Sequence, residues 1–328
     1  MRALVTGAAG FIGSTLVDRL MGDGHQVVGI DNLSTGYISN LEAALCYTAT
    51  ESRRFTFLRL DVQAPELADV VAGMNPDAIF HLAAHVNLPA SVADPQLDAR
   101  SNVLGTINVC EAARRSGIAR IVYAASGGSR YGAAGNSPID ESCEADPYSP
   151  YAAAKVAGEL YMRAYARMYG LAPISLALAN VYGPRQNPHG EAGAVMSFCA
   201  AMISGRPASV NGDATAGHDY VYVDDAVDAL VRAGLAPAGV GGTYNIGTGR
   251  FTDLVEIHRL IAAALDGSPR PVFGAAGPGE SPAVALDAGK AQHELGWQPQ
   301  VDLAEGIQRT VRWLWAMVKR ELPLVVTA

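Results

Sequence analysis

Tyr151 and Lys155 sit one helical turn apart in Pro150-Tyr151-Ala152-Ala153-Ala154-Lys155. Proline suits the first turn of a helix and the alanines favour its continuation, so the two side chains share one helical face. A phenol ordinarily loses its proton near pH ~10, and a neighbouring ammonium favours the phenolate. Such a pair can take the proton of an alcohol while the carbinol carbon surrenders hydride to another group. The sequence therefore has to provide a hydride acceptor and a frame that holds it against Tyr151.

A glycine-rich turn supplies the place for that acceptor. Thr6-Gly7-Ala8-Ala9-Gly10-Phe11-Ile12-Gly13 lies between an apolar run at Ala3-Leu4-Val5 and a helical pattern from Ser14 to Met21. Gly7 permits a tight turn, Gly10 lets backbone amides approach a pyrophosphate, and Gly13 allows close helix–strand contact. The helix N-terminus then presents unpaired N–H groups and a partial positive charge to the phosphates. Asp31 ends the second apolar run, Val27-Val28-Gly29-Ile30, where a carboxylate accepts from ribose hydroxyls and repels a 2′-phosphate. These features select NAD over NADP as the cofactor. An oxidised nicotinamide adds a second positive charge near Tyr151; together the two cations need to supply ~4 kcal/mol to lower the phenol by about three pH units.

The rhythm of the chain indicates how these parts are positioned. Further apolar runs at Phe55 to Leu60, Ala78 to Leu82, Ile121 to Ala124 and Ile174 to Ala179 alternate with helical segments such as Val103 to Ser116 and Ala152 to Tyr169. Runs apolar on both faces predict an α/β fold, a doubly wound parallel sheet of Rossmann type covered by helices on both sides. Right-handed crossovers place the strand C-termini on one rim, where ligands bind. From about Gly183 the texture turns richer in Gly and Pro, with predicted strands at Asp219 to Val223 and Thr243 to Ile246. Helices are predicted from Asp224 and near Asp253 to Leu265, Ala288 to Leu295 and Leu303 to Met317. The expected division is a dinucleotide-binding domain over 1–180, to which the chain returns at about 219–249. Residues 181–328 mostly form a smaller, mixed α/β substrate-binding cap.

Composition narrows the partners. With 32 acidic and 24 basic residues the formal charge is -8, which offers no electrostatic footprint for nucleic acid. No apolar stretch approaches the ~20 residues of a membrane helix, and no secretory signal is visible. Cys46, Cys110, Cys143 and Cys199 show neither CxxC nor metal-ligand spacing, and they read as reduced thiols of a cytoplasmic protein. His85, His189 and His258 likewise lack metal spacing, so no metal is expected; His81 reads as a packed strand-end residue. The Trp313 and Trp315 pair reads as helix packing.

Taken together, these stretches resemble a family. TGAAGFIG at the start, DNLSTG at Asp31 to Gly36, HLAA at His81 to Ala84, SPYAAAK, NVYGPRQ at Asn180 to Gln186, DYVYVDD at Asp219 to Asp225, YNIGTG at Tyr244 to Gly249 and ELGWQP are similar to the extended short-chain dehydrogenase/reductases. Within these the pattern most resembles the UDP-glucose (UDP-sugar) 4-epimerases of the NAD-dependent epimerase/dehydratase group. The resemblance implies an NAD site lined by Gly7, Gly10, Phe11, Ile12, Asp31, Asn32, Ser34, Gly36, Asp61, Val62, Leu82, Ala83, Ala84 and Asn102, with Tyr151 and Lys155 touching the nicotinamide ribose. It places Asn180 on a substrate phosphate or sugar oxygen. It also implies a 4-keto sugar intermediate, a resident cofactor, and a homodimer formed through the helices at Val103 to Ser116 and Ala152 to Tyr169.

Several positions depart from that pattern. Dehydratase relatives carry an acid beside the active-site Ser or Thr, and Ala125-Ser126-Gly127-Gly128-Ser129-Arg130-Tyr131-Gly132 contains none, which argues against a 4,6-dehydratase. Anchored on Tyr131-Gly132, the family's Ser/Thr falls on Gly127; Ser126 ranks first as the substitute donor, with Ser129 or a water as alternatives. His218 stands where the family grips the diphosphate with Arg, Gly277 where a second Arg belongs, and Asn211 where an aromatic stacks on uracil. Each Arg–phosphate contact is worth about 1.5–3 kcal/mol, so other cations must compensate, with Arg130, Arg185 and Arg250 as candidates and His218 when protonated. An oxidoreductase or epimerase acting on a different activated sugar or another alcohol, and a catalytically silent NAD-binding protein, are the competing readings. Retention of both Tyr151 and Lys155 argues against the silent one.

Overall fold

The computed structural model describes residues 1–50, 54–132, 138–188, 193–211, 217–265, 267, 269–275 and 283–321. His189 and Gly277 lie outside the described residues, as does the side chain of Asn211.

Six strands occupy the first half: Arg2–Thr6 (β1), Gln26–Asp31 (β2), Phe55–Arg59 (β3), Ala78–His81 (β4), Arg120–Ser126 (β5) and Ala172–Leu178 (β6). Asn180–Tyr182 (β7), Ser209–Asn211 (β8), Tyr220–Tyr222 (β9), Gly242–Ile246 (β10) and Val272–Gly274 (β11) follow. The first six and β10 form one sheet in the order β10-β6-β5-β4-β1-β2-β3, with every pairing parallel. Strand order reverses between β1 and β4, the switch point at which doubly wound sheets open a crevice.

Helices Phe11–Gly22 (α1), Glu42–Thr50 (α2), Leu67–Met74 (α3), Leu88–Ala93 (α4), Pro95–Ala99 (α5) and Gly105–Ser116 (α6) alternate with the early strands. Gly127–Arg130 (α7) and Pro150–Tyr169 (α8) lie between β5 and β6. Ala194–Ile203 (α9), Val223–Leu235 (α10), Leu254–Ala264 (α11), Gly289–Leu295 (α12) and Leu303–Glu321 (α13) complete the second half.

Side-chain alternation along the strands feeds two cores. Ala3, Val5, Phe80 and Val122 face Leu16, Val17 and Leu20 of α1 and Val227 and Leu230 of α10. Leu4, Ile30, Ile79 and Ile121 face Val71 of α3, Val109 of α6 and Met162 of α8. Because both faces are covered, these strands read as continuous apolar runs.

The structure refines the predicted elements in three places. The strand predicted over 219–223 is β9, which pairs with β7 in a separate two-stranded sheet; α10 and β10 are what return to the main body. The helix predicted from Val103 opens with a π-helical turn at Arg100–Leu104 before α6 begins. Helices α4 and α5, at 6 and 5 residues, are too short to show a helical period in sequence. In the cap, β8 pairs with β11, and α9, α11 and α13 pack together. Among the described residues no helix is long and apolar enough to cross a membrane, and no group of three His, Cys, Asp or Glu could hold a metal.

At the rim opposite the crevice, Arg120 is buried and donates to the carbonyls of Ala172 (2.8 Å), Val240 (3.0 Å), Ala236 (3.1 Å) and Pro237 (2.8 Å). It clips the start of β6 to the loop between α10 and β10. Removing the donors strands buried carbonyls, each costing about 1–3 kcal/mol if water does not reach it. Arg120→Met is expected to lower unfolding stability by about 3 kcal/mol in a denaturant titration while cofactor affinity stays unchanged. A weakened cofactor site with full stability would contradict this division of labour.

Candidate active site

The residues that end or follow the first six strands converge on one crevice. Gly7 after β1, Asn32 after β2, Leu60 after β3, Leu82 after β4, Ser126 at the end of β5 and Leu178 at the end of β6 line a cavity of about 580 Å³. That volume is within the range of small-molecule and cofactor pockets.

One end of the cavity is the glycine turn. Gly7 has φ +70, and a Cβ there would lie 2.7 Å from the Ala83 nitrogen. At Gly13 a Cβ would come within 2.0 Å of the Gly7 carbonyl oxygen, so helix α1 can close on the turn only through glycine. No side chain caps α1, whose first N–H groups are left for a ligand. Asp31 is buried, and burial pushes its carboxyl up while bonds from the Leu33 and Ala9 amides pull it back. Oδ2 accepts from the Ala9 amide at 2.9 Å and Oδ1 from the Leu33 amide at 2.8 Å, with lone pairs to spare for a ribose. Asn32 donates to Asp61 Oδ2 at 2.7 Å and accepts from the Ser34 amide at 2.9 Å, which sets the shape of this wall. Glycine cradle, open helix terminus and ribose-directed carboxylate fit an NAD molecule.

The other end holds the proton-transfer groups. Ser149 caps α8 by accepting from the Ala152 amide at 3.1 Å, and Pro150 fills the first helical position. Tyr151 thus sits in the first turn, where the helix dipole favours a phenolate. Lys155 Nζ lies 6.0 Å from the Tyr151 ring centroid and 5.0 Å from that of Tyr123, and it donates to the Ala124 carbonyl at 3.0 Å. Burial pushes the Lys155 ammonium down to about 8, against the pull of Asp98 and Glu159.

Ser126 and Ser129 both line the cavity, and the Ser129 hydroxyl donates to Ser126 Oγ at 2.7 Å. Gly127 points elsewhere: a Cβ there would meet Leu286 Cδ1 at 2.4 Å and the Ala177 carbonyl oxygen at 2.8 Å. A serine or threonine side chain would not fit at 127 without a shift of these neighbours, and Ser126, ranked first as the substitute donor, is on the wall.

Of the site residues expected from sequence, Gly7, Gly10, Phe11, Ile12, Asp31, Asn32, Ser34, Gly36, Asp61, Val62, Leu82, Ala83, Ala84, Ser126, Tyr151, Lys155, Asn180 and Arg185 all line this cavity. Three do not. Asn102 is buried behind the wall, where its amide brackets the His85 backbone (2.8 Å to the amide, 2.8 Å to the carbonyl) and donates to Asp98 at 2.9 Å. His218 pairs through its backbone with Thr252. Asn211 sits on β8 beside Gly274 of β11. Among the cationic candidates, Arg130 is committed to Glu159 at 2.6 Å and Arg250 is off the cavity wall. Arg185 is on the wall, paired with Asp18 at 2.5 Å.

Sequence reasoning missed His85, Asp98, Tyr37 and Asn187. Asp98 and Asn102 carried a usable signal, an i,i+4 polar pair on one helical face. Tyr37 and Asn187 gave none; they are 150 residues apart, line opposite walls, and meet where the Asn187 amide donates to the Tyr37 hydroxyl at 3.2 Å.

The model of the NAD dependent epimerase/dehydratase family matches residues 3–247. The chain belongs to that family. A UDP-glucose 4-epimerase of Mycolicibacterium smegmatis is 49% identical over 313 residues, covering 95% of this chain and 98% of that protein. The crystal structure of a UDP-glucose 4-epimerase with UDP-glucose from Thermotoga maritima superposes with a TM-score of 0.89 at 36% identity, covering 97% of this chain and 100% of that one. A Thermus thermophilus UDP-glucose 4-epimerase in complex with NAD gives a TM-score of 0.88 at 36% identity, covering 96% and 99%.

In this family member the HLAA histidine is structural. Thr106 Oγ1 donates to the Asn102 carbonyl at 2.7 Å, so at 3.0 Å it accepts the proton of His81 Nε2. Nδ1 then accepts from Thr6 Oγ1 at 2.8 Å. Burial and the Lys155 charge push His81 down to about 3. Between about 3 and the ordinary 6.5 the unfolded chain takes a proton here that the folded chain refuses, so stability falls as pH drops through that window. The acid side of the stability–pH curve is expected to steepen by up to about 1.4 kcal/mol per pH unit, a contribution that His81→Asn removes. Identical curves for both proteins would show that His81 ionises freely.

Proposed function

We propose that this chain is an NAD-dependent UDP-sugar 4-epimerase of the UDP-glucose type. The observation that carries the reading is the placement of Tyr151 and Lys155 on the wall of one cavity with the Gly7–Gly13 turn and Asp31. The similarity to UDP-glucose 4-epimerases over nearly the whole chain supports the substrate class.

Gly7, Gly10, Phe11 and Ile12 would hold the NAD pyrophosphate, Asp31 the adenosine ribose, and Tyr151 and Lys155 the nicotinamide ribose. NAD supplies a reversible hydride acceptor for the sugar C4, which makes a 4-keto sugar common to both epimers. Tyr151 removes the proton of the 4-hydroxyl and later returns it. Lys155 stabilises the phenolate by charge, its ammonium being anchored on the Ala124 carbonyl. Ser126 accepts from Ser129, so its own proton is free to steady the sugar oxygen. Asn180 and Arg185 serve the sugar and diphosphate, with Arg185 as the cation on the wall in place of the arginines replaced by His218 and Gly277. Those replacements favour, as the second reading, the same chemistry on a differently activated sugar.

In this assignment residues 1–180, with the return through 219–249, carry the cofactor, and 181–328 mostly carry the substrate. A homodimer accounts for the apolar outer face near α6 and α8, where Leu104, Leu160, Met168 and Tyr169 are exposed. Cys110, Cys143 and Cys199 are free thiols, in keeping with a reducing cytoplasm.

Incubation with UDP-glucose, UDP-galactose and their N-acetyl forms, without added NAD, tests the reading; each sugar is expected to reach a mixture with its 4-epimer. Tyr151→Phe should lose about 10²–10⁴-fold in kcat while retaining the dinucleotide. Turnover of none of these sugars by NAD-loaded protein would shift the assignment to another activated sugar, and an active Tyr151→Phe would refute the mechanism.

A further inference from the structure

The buried ammonium of Lys155 needs a counter-charge. Tyr123 of β5, His81 of β4, Tyr151 and Glu159 of α8, and Asp98 of α5 are the titratable groups that face it. His81 is neutral, as shown above. Glu159 is buried, but its Oε2 already receives Arg130 Nη1 at 2.6 Å and the Thr243 hydroxyl at 2.9 Å. Its charge is therefore shared between that guanidinium and the lysine.

Asp98 differs. It is 1% exposed and has no guanidinium bonded to it, and its Oδ2, like Oε1 of Glu159, is buried without a hydrogen-bond partner. Oδ1 accepts from Asn102 Nδ2 at 2.9 Å and lies 3.7 Å from His85 Nδ1, too far for a hydrogen bond. Helix α5 packs directly on α8. A buried carboxylate with an unspent oxygen is costly unless a positive charge is near, and across the α5–α8 contact the charge of Lys155 reaches it.

We propose that Asp98 is a positioning residue for the proton-transfer pair: its carboxylate keeps the Lys155 ammonium charged, and so keeps Tyr151 able to act as a base. Asn102 orients Asp98 and, through the same amide, holds the His85 segment of the cavity wall. Burial pushes the Asp98 carboxyl above its ordinary range, against the pull of Asn102, His85 and Lys155. The proposal rests on the epimerase reading for its consequence in turnover, but not for its electrostatics.

The composition makes the electrostatics directly measurable. The chain has only three lysines, Lys155, Lys290 and Lys319, so protein carrying lysine with ¹³C at Cε gives three resonances to follow against pH. In the holoenzyme the Lys155 midpoint is expected to fall by about one pH unit in Asp98→Asn and to stay in place in Asp98→Glu. The alkaline limb of kcat should move down with it, leaving KM for the sugar nucleotide near its wild-type value. A Lys155 midpoint that is the same in Asp98→Asn and wild type overturns the proposal, even if the variant melts earlier. The wild type offers a check that needs no variant: the Lys155 resonance should carry a second inflection at acid pH as Asp98 is protonated. A signal flat through the carboxylate range also overturns it. If wild-type enzyme epimerises no UDP-sugar, the functional reading fails while the titration still decides the role of Asp98.

Discussion

A lysine ammonium has to remain charged in a place that water barely reaches. Lys155 is 5% exposed, and burial has already removed much of its natural preference for the proton. The surroundings offset that loss with groups that cannot drift: a carbonyl at the end of β5, the face of Tyr123, and carboxylates from two helices. Each of these is fixed by the parallel sheet or by a helix packed on it. The sheet rim sets where the carbonyl points, and the cap at Ser149 sets the turn on which Tyr151 stands one step above the lysine.

The same region ties the catalytic end to the phosphate turn. Thr6 is the last residue of β1 and immediately precedes Gly7; its hydroxyl donates to His81 and accepts from the Ala83 amide. His81 in turn reaches Thr106 of α6, whose hydroxyl bonds the Asn102 carbonyl. A neutral imidazole thus connects the glycine turn, the HLAA segment and the start of α6 without adding a competing charge beside Lys155. Polar groups buried this deeply are tolerated because the partners in this chain are satisfied.

Sequence made the cofactor half legible because local spacing carries it: a strand, a glycine turn, a helix, an acid at the end of the next strand, then a tyrosine and a lysine on one helical face. It failed where position depends on chain segments that are distant in sequence. It could name Ser126, which lines the wall, as the substitute for the hydroxyl lost at Gly127, but not that the packing of Leu286 and Ala177 leaves no room for a side chain at 127. Asn102 looked like a ligand contact and is a buried brace. His218 and Asn211 belong to the cap, whose short strands pair with segments 34 to 63 residues away, at Thr252 and Gly274, so their neighbours were not readable from local pattern. Asp98 went unnoticed because its significance lies in what its second oxygen lacks.

The hydrogen bond from Asn187 to Tyr37 joins the loop after β7 to the loop after β2, bridging the two sides of the crevice. A dinucleotide lying beneath such a clasp would meet it only on leaving, when the two sides have to separate, and not during a catalytic half-cycle that leaves them joined. Protein architecture of this kind treats its redox partner as a fixture rather than a passing reagent, and suits a reaction that hands back every electron it borrows.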